Sequence, residues 1–336
     1  MRTFAYSRAD SVEHAAHQTT PTAAFVAGGT TLLDLVKLDV MRPSELVDIN
    51  TLPLKNVEWL DDGRLQIGAL VTNTDLAHHP EVKQHYPVLS QALLAGASTQ
   101  LRNMATTAGN VMQRTRCPYY RDPAAACNRR EPGSGCDARH GLNRLNAVLG
   151  GSDACVAVHP SDMCVAMAAI GATLTLSGPQ GEREVAFQDF HRLPGDTPHI
   201  EHDLADGELI TAITLDPPLA PAGSYYLKLR DRASYEFALA STAAQLSLDG
   251  EMIGEARVAL GGVGTKPWRC PEAEAALVGQ PAEMATFERA ADIALGGATP
   301  LEHNAFKIPL ARQSIIRALR EATRLARQGG KQEGLA

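Results

Sequence analysis

Four cysteines in one arginine-rich stretch carry the clearest chemistry in this sequence. Cys117, Cys127, Cys136 and Cys155 are four of the six cysteines in 336 residues. Seven arginines lie between Arg114 and Arg144, against three acids, Asp122, Glu131 and Asp137. Pro118, Pro123, Pro132, Gly133 and Gly135 forbid a long helix or central strand through most of the stretch. A structureless segment of this length inside a compact domain needs something else to order it, and four thiolates around one metal centre would do so. The spacing Cys-x9-Cys-x8-Cys-x18-Cys matches neither a zinc ribbon nor the compact ferredoxin run. Spacing alone leaves iron–sulfur, zinc, and disulfides or free thiols open. The arginines suit the anionic surroundings of a [4Fe–4S] cluster, and equally a solvated basic face or a face for a partner subunit.

A second chemical signal lies near the N-terminus. The apolar run Ala23–Ala27 leads into Gly28-Gly29-Thr30-Thr31, and a helix follows through Leu32, Leu33, Leu35, Val36 and Leu38. Strand, glycine turn and helix N-terminus together make an anion cradle, because glycines allow close approach and the first helical N–H groups are free. With no third glycine the run is not the dinucleotide fingerprint, so phosphate cradle and plain turn both stand. A Thr- and Ala-rich corner at Leu101–Asn110 ends in Gly109-Asn110, and Ser161-Asp162 caps an apolar helix over Met163–Ile170 that contains Cys164. Cys164 reads as a small core residue. His191, His199 and His202, in an acidic Pro/Gly-rich segment, read as solvated loop residues.

The elements that must hold these groups are short. Strands are expected at Thr3–Tyr6, Ala23–Ala27, Glu45–Ile49, Arg64–Ile67, Ala69–Val71, Ala154–Val158, Thr173–Ser177, Arg183–Phe187 and Leu209–Leu215. Pro217-Pro218-Leu219-Ala220-Pro221 is the clearest linker. Beyond it come strands Ser224–Lys228, Ala243–Leu248 and Ala256–Leu260, then helices Glu272–Val278, Ala282–Leu295 and Leu310–Ala326. A net charge of −7 gives no support to nucleic-acid binding. The longest apolar stretch, Met163–Leu176, falls short of the ~20 residues that span a bilayer.

Four segments in this order resemble the flavin-binding subunit of molybdenum hydroxylases, the xanthine dehydrogenase and aldehyde oxidoreductase family. They are Phe25–Leu32, Leu101–Asn110, Pro160–Met163 and Leu260–Val263, with Lys266-Pro267-Trp268-Arg269 as a further element. The resemblance implies an α+β fold. A two-subdomain FAD-binding domain at 1–216 would comprise a small α/β unit (about 1–55) and a mixed-sheet α/β subdomain (about 56–216). A C-terminal α+β domain at 222–327, a three-stranded antiparallel sheet with helices, would follow, and then a disordered tail at 328–336. It implies FAD held by Val26, Ala27, Gly28, Gly29, Thr30, Thr31 and Leu32 around the pyrophosphate. Asn103, Thr106, Thr107, Gly109, Asn110, Ser161 and Asp162 would line the rest, and Lys228 and Arg230 would come close to the flavin. Many relatives lack the cysteine loop at 114–156. It is similar to an inserted cluster loop in the aldehyde oxidoreductase branch, on Arg116–Asp122 and Pro132–Cys136, which implies a [4Fe–4S] cluster on Cys117, Cys127, Cys136 and Cys155.

The expected function is therefore an electron-transfer subunit of a heteromeric molybdenum-dependent aldehyde oxidoreductase. Its partners would be a molybdenum-cofactor catalytic subunit, a small [2Fe–2S] subunit and an external electron acceptor. No catalytic base is expected in this chain. The alternatives are a stand-alone flavin oxidase of a small alcohol and a non-catalytic zinc-stapled scaffold. No secretory signal is legible, so the expected location is cytoplasmic, or periplasmic if the chain is exported with a signal-bearing partner.

Overall fold

The computed structural model describes residues 2–18 and 22–329. Its three sheets follow the chain. β1 (Ala5–Arg8), β2 (Ala23–Val26) and β3 (Glu45–Asp48) form a parallel sheet in the order β1-β3-β2. The Leu32–Lys37 helix crosses from β2 to β3, as parallel pairing requires. β4 (Val57–Trp59), β5 (Leu65–Gly68), β6 (Ala172–Gly178), β7 (Gly181–Ala186) and β8 (Leu209–Leu215) make a five-stranded sheet, β4-β5-β8-β6-β7. All its ladders are antiparallel, so the two strand directions are segregated between sheets. β9 (Ser224–Leu229), β10 (Ala240–Asp249), β11 (Met252–Gly261) and β12 (Trp268–Arg269) form the last sheet, in the order β12-β11-β10-β9. The two-residue β12 adds a fourth strand to the three expected.

The Asp162–Ile170 helix is the hub. All nine of its residues are buried, an all-round burial that its Ala/Met/Val sequence permits and an amphipathic helix would not. It packs beneath the five-stranded sheet's core and against β10 and β11. The amphipathic Lys307–Arg327 helix covers the other face of the last sheet, seating Ile315, Ile316, Leu319 and Ala322. Full burial of each of the isoleucine and leucine side chains stabilises by ~1.5–3 kcal/mol. No helix among the described residues is long and apolar enough to cross a membrane.

Two expected strands are absent. At Ala69–Val71 the chain turns, because the carbonyls of Ala69 and Val71 accept the N–H groups of Ala108 (3.0 Å) and Thr107 (2.9 Å) rather than a strand's. Ala154–Val158 runs outside any ladder, tied by single bonds such as Ala147 N–H to Val156 O at 2.8 Å. The Asn73–His78 helix is capped by Thr72, whose hydroxyl accepts from Asp75 N–H. Of the expected tail, residues 330–336 lie outside the described residues.

Candidate functional site: a two-chambered cavity and a cysteine-lined seat

The glycine turn is built as a cradle. Gly29 has φ +69°, and a Cβ on Gly28 would lie 1.8 Å from the Met104 carbonyl oxygen, so the turn presses directly on the 101–110 corner. Thr31 is the N-cap of the Leu32–Lys37 helix yet makes no side-chain capping bond. Thr72, Ser98, Thr106 and Ser161 all cap theirs. The backbone N–H groups of Thr30, Thr31 and Leu32 donate to no backbone acceptor among the described residues. Free donors at a helix start suit an anion.

Two cavities meet at this turn. One, about 530 Å³, is lined by Ala27, Gly28, Leu32, Thr106, Ala108, Arg129, His159 and His191, among others. The second, about 570 Å³, is lined by Asn110, Arg116, Arg121, Asp162 and Lys228, among others. Thr30, Thr31, Gly109 and Gln113 border both. Each has the size of a ligand pocket. Joined at a phosphate cradle, they fit the two halves of a dinucleotide.

Of the residues expected at the cofactor, Ala27 to Leu32, Thr106, Gly109, Asn110, Asp162 and Lys228 line these chambers. The others face elsewhere. Val26 belongs to the β2–β3 ladder. Asn103 accepts from Thr74 at 2.6 Å. Thr107 is fully buried, with its hydroxyl on Val71 O at 2.9 Å. Ser161 caps the hub helix at Cys164 N–H and donates to Asn110 Oδ1 at 2.7 Å. Arg230 donates to Ala95 O at 3.1 Å. Ser161, Thr107 and Arg230 thus hold the wall from behind.

Asp162 anchors the second chamber. Lys228 Nζ lies 2.8 Å from its Oδ2, with both side chains under 10% exposed, and Tyr226 Oη donates to Oδ1 at 2.6 Å. Burial and the neighbouring carboxylate push the Tyr226 hydroxyl well up, keeping it a donor. Tyr226 was missed in the sequence, where a strand tyrosine carries no signal.

Two of the three histidines read as solvated need correcting. His191 is buried and His202 half-buried, whereas His199 is exposed as expected, and His159, His191, His199 and His202 all line the first chamber. Packing drives this. His191 sits edge-on to Phe187, Phe190 and His159, and Phe190 stacks on His202. Burial lowers His191 to about 4 and His159 well below its ordinary value, so both stay neutral. His159, His191 and Cys164 hold ligand atoms within 4.8 Å of one another. Cys164, fully buried on the hub helix, therefore lies with the histidines, and burial pushes its thiol up to about 12.

The four loop cysteines converge on one seat. Cys127 and Cys136 pair across an isolated bridge, and each interacts electrostatically with Cys117 and Cys155. Two of the sulfurs accept hydrogen bonds. Asn146 Nδ2 reaches Cys117 Sγ at 3.6 Å, and Ala157 N–H reaches Cys155 Sγ at 3.5 Å. The backbone N–H groups of Arg129, Arg130, Ala138 and Arg139 favour the thiolates of Cys127 and Cys136, while those of Arg130 and Arg139 donate to the Cys127 and Cys136 carbonyls at 3.0 and 3.2 Å. Among the described residues no three of these sulfurs come within 4.8 Å of one another. A single tetrahedral zinc would draw thiolates to edges of about 3.8 Å.

Most of the loop arginines are paired and largely covered, and Arg144 alone of those in ion pairs is exposed. Arg114 and Arg129 both hold the buried Glu201, Arg129 at 2.7 Å. Burial would raise that carboxyl, but the two guanidiniums hold it below the usual range. Arg116 and Arg121 share Asp34. Arg139 pairs with Asp153 and Arg144 with Asp231. Arg130 donates to the carbonyls of Tyr119 and Tyr120, folding the loop on itself.

This frame and cavity define a dinucleotide-binding flavoprotein. Residues 2–218 match the FAD binding domain in molybdopterin dehydrogenase, and residues 224–322 the CO dehydrogenase flavoprotein C-terminal domain. The chain belongs to the family of FAD-binding subunits of molybdopterin dehydrogenases. It is 50% identical over 325 residues to the aldehyde oxidoreductase FAD-binding subunit PaoB of Escherichia coli (strain K12), covering 96% of this chain and 99% of that one. It is 30% identical to the glyceraldehyde dehydrogenase medium chain of Sulfolobus acidocaldarius, over 82% of each. Its fold matches a solved carbon monoxide dehydrogenase chain from Hydrogenophaga pseudoflava with a TM-score of 0.75 at 26% identity, covering 96% of this chain and 98% of that one.

Proposed function

We propose that this chain is the FAD- and [4Fe–4S]-carrying electron-transfer subunit of a molybdenum-dependent aldehyde oxidoreductase. Its partners are a molybdenum-cofactor subunit that oxidises the aldehyde, a small [2Fe–2S] subunit and an external electron acceptor. The aldehyde reading is supported by the 50% identity to an aldehyde oxidoreductase subunit along nearly the whole chain. The cluster reading is carried by one observation: the four cysteines share one seat, where N–H groups bond the Cys117 and Cys155 sulfurs and favour the thiolates of Cys127 and Cys136. N–H donors to sulfur stabilise an anionic cluster and set its potential.

Bound in these seats, FAD supplies one- and two-electron chemistry and the cluster one-electron chemistry. The protein's own residues bind and orient. The N–H groups of Thr30, Thr31 and Leu32 would receive the pyrophosphate, and Asp162, fixed by Lys228 and Tyr226, would receive a ribityl or ribose hydroxyl. No side chain is assigned as a general base.

The test quantifies iron, acid-labile sulfide, zinc and flavin on one anaerobic sample of the assembled complex, corrected for the iron of the partner subunits. We expect about four irons and four sulfides per FAD in this chain. Serine at positions 117, 127, 136 or 155 should remove them, and Cys164→Ser should not. Zinc in their place, or flavin without iron, sinks the cluster. Aldehyde or alcohol turnover by this chain alone sinks the subunit role.

A further inference from the structure

We propose that Arg116 and Arg121, carried by the cysteine loop, form part of the flavin site, facing the FAD pyrophosphate. Retention of FAD is thereby linked to occupancy of the four-cysteine seat. The inference rests on the preceding reading of FAD and a four-iron cluster.

Both arginines line the second chamber beside Thr30, Thr31 and Gly109. Both donate to one oxygen, Asp34 Oδ2, Arg116 at 3.1 Å and Arg121 at 2.7 Å. Two guanidiniums on one carboxylate leave an excess positive charge. Arg116 Nε and Arg121 Nη1 are buried and have no partner, although an unpaired buried donor costs ~1–3 kcal/mol, and more when charged. The ion pair with Asp34 uses Arg116 Nη1 and Arg121 Nη2 and leaves Arg116 Nε and Arg121 Nη1 unexplained. The chamber's Lys228 is matched to Asp162 and its Arg232 to Glu236, while its Arg102 is spent on the carbonyls of Leu94 and Gly96 and the Thr99 hydroxyl. Arg116 and Arg121 are the cations that combine charge in excess of their carboxylate with unpartnered buried nitrogens, in the chamber that borders the turn whose N–H groups are free. The pyrophosphate of FAD carries two negative charges, and guanidinium is suited to paired phosphate oxygens.

The same residues are fixed from the cysteine side. Arg116 precedes Cys117, and Arg121 ends the Pro118–Arg121 helix that starts one residue after it. Tyr120 of that helix packs with Cys127 and with Leu35 of the Leu32–Lys37 helix that follows the cradle. Asp34 lies on that same helix. Ordering Cys117 and Cys127 on a cluster therefore orders both guanidiniums and the cradle. Coupling of this kind is reciprocal: bound FAD must protect the cluster as the cluster retains FAD.

The experiment measures FAD affinity by flavin fluorescence on deflavinated complex. Arg116→Gln and Arg121→Gln, with iron and sulfide at the wild-type level, should each weaken FAD by about tenfold, and Arg121→Lys by less. Wild-type complex from which this cluster has been removed by ferricyanide and a chelator should lose affinity about tenfold. Reconstitution with iron and sulfide should restore it. Wild-type affinity in both glutamine variants, or in the cluster-free wild type, overturns the proposal. Wild-type protein that never carries iron in this chain overturns the cluster reading instead, and the glutamine variants then still decide whether the arginines bind FAD.

Discussion

Buried neutral imidazoles make stability depend on pH in a defined direction. His191 titrates at about 4 in the folded chain and near 6.5 when unfolded. Between those values the unfolded chain binds the extra proton. The stabilisation is complete above pH 6.5 and is lost as pH falls towards 4, at most about 3 kcal/mol from this residue. Urea unfolding of the isolated chain at pH 7.5 and pH 5 should show the loss, and His191→Asn should flatten it. Sequence alone placed this residue in solvent, because an acidic Pro/Gly-rich neighbourhood hides the aromatic contacts with Phe187 and Phe190 that bury it. Cavity-lining residues were legible where glycine or a capping residue marks a backbone need, as at Gly28, Thr106 and Gly109. They were illegible where a distant strand contributes a side chain, as with Tyr226 on Asp162.

At the level of elements, the cradle depends on how closely one turn approaches one corner. In Gly28→Ala the new methyl must displace the Met104 carbonyl, 1.8 Å from its position. The turn then moves off the 101–110 corner, and the wall shared by the two chambers opens. We expect the variant to fold with its stability lowered by 2 kcal/mol or more, about the cost of overpacking. Its FAD content after gel filtration, read at 450 nm, should fall below a tenth of wild type. Alternating and apolar runs made β6, β7, β8 and the three long C-terminal strands readable in the sequence, since their periodicity reports burial directly. Ala69–Val71 and Ala154–Val158 misled because apolar composition signals burial but not the identity of the hydrogen-bond partner. Their carbonyls are taken by a distant helix start in the first case and by a nearby loop in the second.

Across the whole molecule, the C-terminal domain fastens the end of the cysteine loop. Lys307, fully buried, donates from Nζ to the carbonyls of Leu145 (3.0 Å), Asn146 (3.1 Å) and Gly262 (2.7 Å). Asn304 holds the Asn146 and Ala147 carbonyls at 3.2 Å. Lys307→Met leaves the Leu145 and Gly262 carbonyls without the lysine's bond, while Asn146 keeps that of Asn304, with an expected cost of about 2 kcal/mol. Its second readout is iron per chain, which should fall because Asn146 also supplies the donor to Cys117 Sγ.

That clamp also sets an order in time. Lys307 stands 162 positions beyond Leu145, an interval on the order of ten seconds of synthesis. Throughout it the first cysteines have left the ribosome while the lysine that steadies their seat has yet to be made. A cluster held on these cysteines, as proposed above, would therefore be delivered late, to a finished chain, with the thiols most open to oxidation in the seconds before it.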